Sequence, residues 1–101
     1  MTNYARGTRR EHKIGDLYEE NGWAVVRAAG SHGPADLVCM KAGRQTELVQ
    51  VKADRSSAFA HFGPAEREEL LRFALKAGAR AVLAWHPPDR KPPARGESLN
   101  I

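Results

Sequence analysis

The chain has 101 residues, of which 42% are hydrophobic, and it carries 16 Lys and Arg against 12 Asp and Glu. This length predicts a single domain with one modest core, and the hydrophobic fraction excludes an intrinsically disordered chain. No apolar stretch approaches the roughly 20 residues that a membrane-spanning helix needs, and the N-terminus lacks the apolar core of a signal peptide. We therefore expect a cytoplasmic, intracellular protein with no membrane partner.

The charge balance favours a polyanionic partner such as nucleic acid, since the net charge is +4 and the pI is near 9.6. A solvated basic face that binds nothing specific is the alternative. The basic residues that we expect on one surface are Arg6, Arg9, Arg10, Lys13, Arg27, Arg44, Lys52 and Arg55.

The first predicted element is a helix from about Arg9 to Glu20. Thr8 and Glu11 have the spacing of a capping box, apolar residues recur at helical spacing, and Asn21-Gly22 ends the pattern. Glu11 therefore has an ordinary interpretation as the capping partner of Thr8. A β-branched and aromatic segment, Trp23–Ala28, then predicts a first strand, which leads into a loop of small residues.

Two short apolar runs predict a β-hairpin. They cover Ala35–Met40 and Leu48–Ala53, and they flank the turn signal Lys41-Ala42-Gly43-Arg44. The single cysteine, Cys39, lies within the first run, where a small buried thiol fits without any chemistry. The hairpin brings Asp36, near the start of the first run, close to the second run.

The segment that faces Asp36 is Gln50-Val51-Lys52. Gln50 and Lys52 share one face of their strand because strand side chains alternate. The Asp36 carboxylate, the Gln50 amide and the Val51 carbonyl supply oxygen ligands, which Mg²⁺ prefers. Lys52 is then placed to hold the attacking water or the scissile phosphate, so the pattern predicts a metal-dependent nuclease site. The ordinary alternatives are a turn residue at Asp36 and a solvated strand lysine at Lys52.

The rest of the chain predicts a second helix, a last strand and a tail. A polar and aromatic connection, Asp54–Gly63, leads to a helix over Pro64–Lys76, and Ala79–Trp85 is typical of a buried strand. The order is therefore αβββαβ. We expect a domain over residues 1–88 and an extended or mobile tail over residues 89–101, which is rich in Pro and basic residues.

Three segments carry a resemblance to a nuclease superfamily. They are Arg9-Arg10-Glu11, the stretch from Val25 to Asp36 with its Ala-Gly-Ser and Gly-Pro-Ala-Asp sequences, and Leu48–Lys52. In this order they resemble the PD-(D/E)xK nucleases and, within them, the archaeal-type Holliday junction resolvases. The resemblance implies an α/β fold with a restriction-endonuclease-like core, in which helices flank a mixed central sheet.

The resemblance also implies roles for individual residues. Asp36 is the main metal ligand, Glu11 completes the metal site, and Lys52 stabilises charge on the phosphate in the transition state. The implied metal is Mg²⁺, with Mn²⁺ as a substitute. The catalytic set, with its serine at the scissile phosphate, is Glu11, Ser31, Asp36, Gln50 and Lys52. The metal ligands are Glu11, Asp36, Gln50 and Val51, and the expected DNA-binding residues are Arg6, Arg9, Arg10, Lys13, Arg27 and Arg55.

Gln50 departs from the resemblance, since these nucleases usually have an acid at this position. Gln keeps a carbonyl oxygen that binds Mg²⁺ but removes one negative charge, so the expected metal affinity is weaker. Glu47 lies at an odd offset, on the opposite face of the strand, and is not expected to compensate. Two alternatives stay open: another PD-(D/E)xK endonuclease of repair or restriction type, and a non-catalytic DNA-binding module whose cleavage is weakened at Gln50.

The implied substrate, four-way junction DNA, has consequences for assembly. A junction has near two-fold symmetry, and its resolution needs two nicks at related positions. A chain with one site is therefore expected to act as a homodimer. We expect the interface on the second helix and the last strand, where the apolar residues are Leu70, Phe73, Leu83 and Trp85.

Overall fold

The structure is a computed structural model that describes residues 3–28, 34–52, 63–85 and 97–100, with side chains for these ranges except residues 3–8, 85 and 97–100. The described elements are α1 (Asn3–Glu20), β1 (Ala24–Arg27), β2 (Leu37–Met40), β3 (Glu47–Lys52), α2 (Pro64–Ala77), β4 (Arg80–Trp85) and β5 (Glu97–Asn100).

The strands form one five-stranded mixed sheet in the order β1-β2-β3-β4-β5. β1, β2 and β3 are antiparallel neighbours, β3 and β4 are parallel, and β5 is antiparallel to β4. The parallel pair follows from the α2 crossover, because parallel strands need a long connection. The predicted α/β fold, a mixed sheet flanked by helices, is confirmed.

β5 was not predicted from the sequence. Its four residues, Glu97-Ser98-Leu99-Asn100, include one apolar side chain and therefore carry little strand propensity. The backbone of this segment instead pairs along β4, from Trp85 opposite Glu97 to Val82 opposite Asn100. The open edge of β4 thus provides the pairing, and the element order becomes αβββαββ.

The core lies on both faces of the sheet because β3 and β4 are covered on each side. Alternate side chains of these strands point to α1 or to α2. The buried residues on the α1 side are Ile14, Leu37, Cys39, Val49, Val82 and Ala84. The buried residues on the α2 side are Ala35, Leu48, Leu70, Ala74, Ala81 and Leu83. Burial raises the pKa of the Cys39 thiol to about 12, which fits the predicted inert core cysteine.

α1 begins at Asn3, six residues before the predicted start. Thr8 lies inside the helix, so it is not an N-cap, and the capping-box interpretation of Glu11 was wrong. Gly7 and Thr8 are weak helix formers, but together they cost only about 1–2 kcal/mol, and a helix that is already nucleated propagates through them. Glu11 is therefore in the interior of the helix and available to the sheet.

The hairpin and the second helix were predicted closely. The Arg44 N–H donates to the Lys41 carbonyl at 3.0 Å, and Gly43 has a φ of 76°, which fits the third position of a type II turn. α2 begins with Pro64 and is capped after Ala77 by Gly78, whose φ of 65° is left-handed. In the described residues, neither helix is long and apolar enough to cross a membrane.

The apolar residues predicted for the interface do not all lie on the surface. Leu70 of α2 and Leu83 of β4 are fully buried in the same core cluster. Their assignment to an intermolecular surface was therefore wrong. Phe73 is 50% exposed, and its helix also exposes Leu71 and Leu75, the latter by 80%. The Trp85 side chain lies outside the described residues.

Candidate active site

The backbone of Asp36 joins two strands. Its N–H donates to the Val49 carbonyl of β3 at 2.8 Å, and its carbonyl accepts from the Ala28 N–H at 3.0 Å. In a regular antiparallel ladder both groups of one residue face the same neighbour. The chain therefore turns at Asp36, and β2 begins at Leu37 and not at the predicted Ala35.

The Asp36 side chain is fixed to the same neighbouring strand. Its Oδ2 accepts a hydrogen bond from the Val51 backbone N–H at 2.9 Å. Because the N–H and C=O of a strand residue point to the same side, the Val51 carbonyl is also directed towards the Asp36 side of β3. The carboxylate and this carbonyl are thus two oxygen donors on one side of the strand end.

The pKa of the Asp36 carboxyl is raised from its ordinary value of 3.8 to about 6. Burial is the largest cause, and the charge of Glu11 and a hydrogen bond with Glu11 act in the same direction. The Val51 N–H and the Lys52 ammonium act in the opposite direction and lower the pKa. Asp36, Glu11 and Lys52 are therefore close enough to interact, although they come from three different segments.

Gln50 and Lys52 point to the α2 side of the sheet, on the same face as Leu48. The Lys52 Nζ lies 3.7 Å from Oε2 of Glu66, in the first turn of α2. Gln50 is half-buried and forms no side-chain hydrogen bond with any other residue of the described ranges. Its amide oxygen is thus free of protein donors in this part of the chain.

Glu47 occupies the opposite face of β3, as predicted. Its Oε1 accepts a hydrogen bond from the Tyr18 hydroxyl at 2.6 Å, and its Oε2 lies 3.7 Å from Nη1 of Arg80. These partners hold Glu47 at the start of β3, on the α1 side. It therefore does not replace the missing acid at Gln50.

Glu11 is linked to β1 through an arginine. Nη2 of Arg27 lies 3.4 Å from Oε2 of Glu11, and Nη1 of Arg27 lies 2.8 Å from Nε2 of His12. Arginine only donates, so His12 accepts with an unprotonated Nε2. Sequence reasoning did not include His12 or Glu66 in the site. Both contacts join segments far apart in sequence, so no local pattern reveals them.

The oxygen donors present fit a hard divalent cation. They comprise the carboxylates of Asp36 and Glu11, the Gln50 amide and the Val51 carbonyl, a set suited to Mg²⁺ or Mn²⁺. A bound cation would also offset the burial and the repulsion from Glu11 that raise the pKa of Asp36. Among the described residues, no group of three or more His, Cys, Asp or Glu is placed to hold a metal ion. A metal site here would therefore also need the neutral oxygens of Gln50 and Val51 as ligands.

The predicted DNA-binding residues are only partly described. Arg9 and Lys13 are exposed on α1, Arg10 is half-buried, and Arg27 is exposed beside Glu11. The backbone of Arg6 is in α1, but its side chain lies outside the described residues. Ser31 and Arg55 also lie outside them.

A mixed sheet with a carboxylate held at the end of β3, next to a lysine on that strand, is the arrangement expected from the PD-(D/E)xK resemblance. The family model of the archaeal Holliday junction resolvases (Hjc) matches residues 2–95, and the chain belongs to this family. Membership gives its activity as a nuclease that resolves Holliday junctions. β5 lies beyond the matched residues.

A solved structure gives the same assignment. The chain is similar to Hjc from Archaeoglobus fulgidus, a Holliday junction resolvase from an archaeal hyperthermophile. The two are 28% identical, with a TM-score of 0.70, and the similarity covers 84% of this chain and 67% of the other.

Proposed function

We propose that this chain resolves four-way junctions by divalent-metal-dependent hydrolysis of the DNA backbone, with Asp36 at the centre of the site. One observation carries this proposal: the Asp36 carboxylate is fixed to the Val51 N–H, within interaction range of Glu11 and Lys52. The family supports the substrate, and the oxygen donors support the metal.

The proposed metal ligands are Asp36, Glu11, Gln50 and the Val51 carbonyl. Mg²⁺ is the proposed ion, and Mn²⁺ is the expected substitute because it accepts the same oxygen ligands. When bound, the ion supplies Lewis-acid activation of the attacking water. Asp36 must be deprotonated to bind it, and a fixed carboxylate loses little freedom on binding.

Lys52 acts on the phosphate, and Arg27 positions Glu11. The Lys52 ammonium lies on the strand next to the carboxylate and stabilises the negative charge that builds on the scissile phosphate. Arg27 holds the Glu11 carboxylate at 3.4 Å, which orients this acid towards the site. Ser31 keeps the role that the family resemblance implies, at the scissile phosphate.

Gln50 sets the strength of the metal site. Because the Gln50 amide is neutral, the site has only the carboxylates of Asp36 and Glu11 among the described residues. We expect it to bind a metal ion more weakly than a site with three acids would. This observation also favours the second candidate function, a junction-binding module with weak or no cleavage. Cleavage by the wild-type protein at millimolar Mg²⁺ would exclude that candidate.

The proposed DNA surface is the exposed basic side of α1 with Arg27. Arg9 and Lys13 are one helical turn apart, and both side chains are exposed. Contacts of this type neutralise phosphates and release counterions, so affinity should fall steeply with salt. Recognition then depends on the shape of the junction and on phosphate positions more than on base edges.

The proposed active form is a homodimer, because each chain offers one site and a junction needs two nicks. The support is the apolar surface of α2, where Phe73 is 50% and Leu75 is 80% exposed. Sedimentation of Phe73→Glu at micromolar concentration tests it, with Arg72→Glu as a control on the same helix. We expect a monomer for the first variant and a dimer for the control. A monomeric wild-type protein would overturn the dimer.

The test of the proposed function uses an end-labelled immobile four-way junction and a linear duplex of matched sequence, each with Mg²⁺ or EDTA. We expect paired nicks in the junction with Mg²⁺ and none in EDTA or in the duplex. Equal cleavage of both substrates would favour another endonuclease of the same class. Tight junction binding without nicks would favour the binding module.

A further inference from the structure

Glu66 of α2 contacts the lysine of the proposed site. Its Oε2 lies 3.7 Å from Nζ of Lys52, and this contact joins the first turn of the helix to the end of β3. The Lys52 side chain is 25% exposed and that of Glu66 is 56% exposed. The pair is therefore open to solvent on the glutamate side and partly enclosed on the lysine side.

The other acids of α2 behave differently. Glu68 pairs with Arg72 one turn along the same helix, and Glu69 is exposed. In the described part of α2, Glu66 is the acid whose ion pair crosses to the sheet. An acid in the first turn also interacts favourably with the helix dipole, but this effect does not require contact with a particular lysine.

A contribution to stability alone is a weak explanation for this contact. Ion pairs with one exposed partner contribute little to the free energy of folding. Lys52, however, has a flexible four-carbon side chain whose ammonium must be held at one position to act on a phosphate. The neighbouring Gln50, on the same strand face, carries no charge that would hold it.

We propose that Glu66 is a positioning residue for Lys52, and that its carboxylate holds the lysine ammonium on the α2 side of the site, where Gln50 provides no negative charge. This inference rests on the proposed function, since it assigns Lys52 to phosphate chemistry. Glu66 itself touches neither metal nor phosphate in this arrangement. Glu66 restricts the conformations of the Lys52 side chain before DNA binds, so less conformational freedom is lost on binding.

The first experiment compares Glu66→Gln with Glu69→Gln, a matched change of charge on the same helix. Single-turnover cleavage of a four-way junction is measured with protein in excess, and junction affinity is measured separately in EDTA. We expect Glu66→Gln to lower the cleavage rate constant about tenfold, which is less than the ~100-fold loss that a 1 Å misplacement can cause. Junction affinity should change by less than about twofold, because the Lys52 charge remains.

The second experiment is independent of cleavage. The order parameter of the Lys52 Cε methylene is measured by NMR in protein free of metal and DNA, with the signal assigned through Lys52→Arg. Loss of the Glu66 carboxylate should lower this order parameter, because the ammonium loses its partner, while Glu69→Gln should leave it unchanged.

The two readouts decide the proposal separately from the proposed function. Unchanged Lys52 order in Glu66→Gln would overturn the positioning role, whatever the cleavage rate. Increased mobility with an unchanged rate would also overturn it, since the position of Lys52 would then have no catalytic consequence. If the wild-type protein cut no junction, the proposed function would fail, and the rate effect assigned to Glu66 would fail with it. The NMR result would still show whether Glu66 orders Lys52.

Discussion

The carboxylate of Asp36 accepts a hydrogen bond from the backbone N–H of Val51, at 2.9 Å. A side chain thus takes the place of a neighbouring strand at the point where the pairing of β2 with β3 ends. The bond fixes Asp36 at the end of β3, and strand geometry directs the Val51 carbonyl to the same side. The metal chemistry that we propose depends on this local arrangement.

Stability in the absence of metal should depend on the protonation of Asp36. Because the fold raises its pKa from 3.8 to about 6, the protonated form is favoured, and the associated stability is present below pH 3.8 and lost as the pH rises through about 6. The full shift corresponds to about 3 kcal/mol, and solvent access reduces this to about 1 kcal/mol.

Asp36→Asn, which stays neutral, should therefore be more stable than the wild type above pH 6. Urea denaturation in EDTA between pH 4 and 8 measures the difference. Asp16→Asn, an exposed position on α1, should keep the wild-type pH dependence. Parallel curves for the wild type and Asp36→Asn would show that this carboxyl is not perturbed.

Mg²⁺ should stabilise the folded protein at pH 7.5, because it binds deprotonated carboxylates that exist as a site only in the fold. At a concentration one hundred times the Kd, the gain is about 2.7 kcal/mol. Thermal unfolding with and without Mg²⁺ measures it. The gain should be absent in Asp36→Asn and smaller in Glu11→Gln. An equal gain in all three proteins would place the bound ion elsewhere.

Gln50→Glu should bind Mg²⁺ about tenfold more tightly, since a third carboxylate adds negative charge to the ligand set. Titration calorimetry gives the affinity, and single-turnover cleavage at limiting Mg²⁺ gives its consequence. The matched control is Gln45→Glu, an exposed glutamine whose side chain donates to the Gly78 carbonyl. Similar effects of both substitutions would indicate a general charge effect, without a contribution of Gln50 to the ion.

Tyr18→Phe should destabilise the protein by about 1–2 kcal/mol without loss of cleavage. The Tyr18 hydroxyl donates a hydrogen bond to Glu47, whose side chain is only 14% exposed. Removal of the hydroxyl lowers the free energy of unfolding because a largely buried carboxylate loses a hydrogen-bond donor. This pair lies at the start of β3, away from Lys52 at its end. Urea denaturation and junction cleavage are measured on the same preparation. A large loss of cleavage in a folded variant would connect the two ends of the strand.

The sequence predicted the elements whose signals are local. Gly43 in the hairpin turn, and Pro64 and Gly78 at the ends of α2, each require a backbone conformation that their residue type favours. The start of α1 at Asn3 was missed because the capping pattern at Thr8 is also compatible with a helix interior.

The remaining differences come from contacts between distant segments. β5 forms because β4 offers a free edge, which the composition of the tail does not reveal. The joint placement of Asp36 and Lys52 was predicted from the hairpin, whereas the contact of Lys52 with Glu66 depends on how α2 packs on the sheet. The same packing decides that Leu70 is buried while Leu71 and Leu75 of the same helix are exposed.

The most direct test of the central claim is single-turnover cleavage of an immobile four-way junction by the wild type, Asp36→Asn and Asp16→Asn, each with Mg²⁺. We expect paired nicks from the wild type and from Asp16→Asn, and a loss of at least about 100-fold in Asp36→Asn, because the main ligand of the ion is removed. Circular dichroism and junction affinity in EDTA should be similar for all three. Cleavage by Asp36→Asn at the wild-type rate would contradict the assignment of the active site.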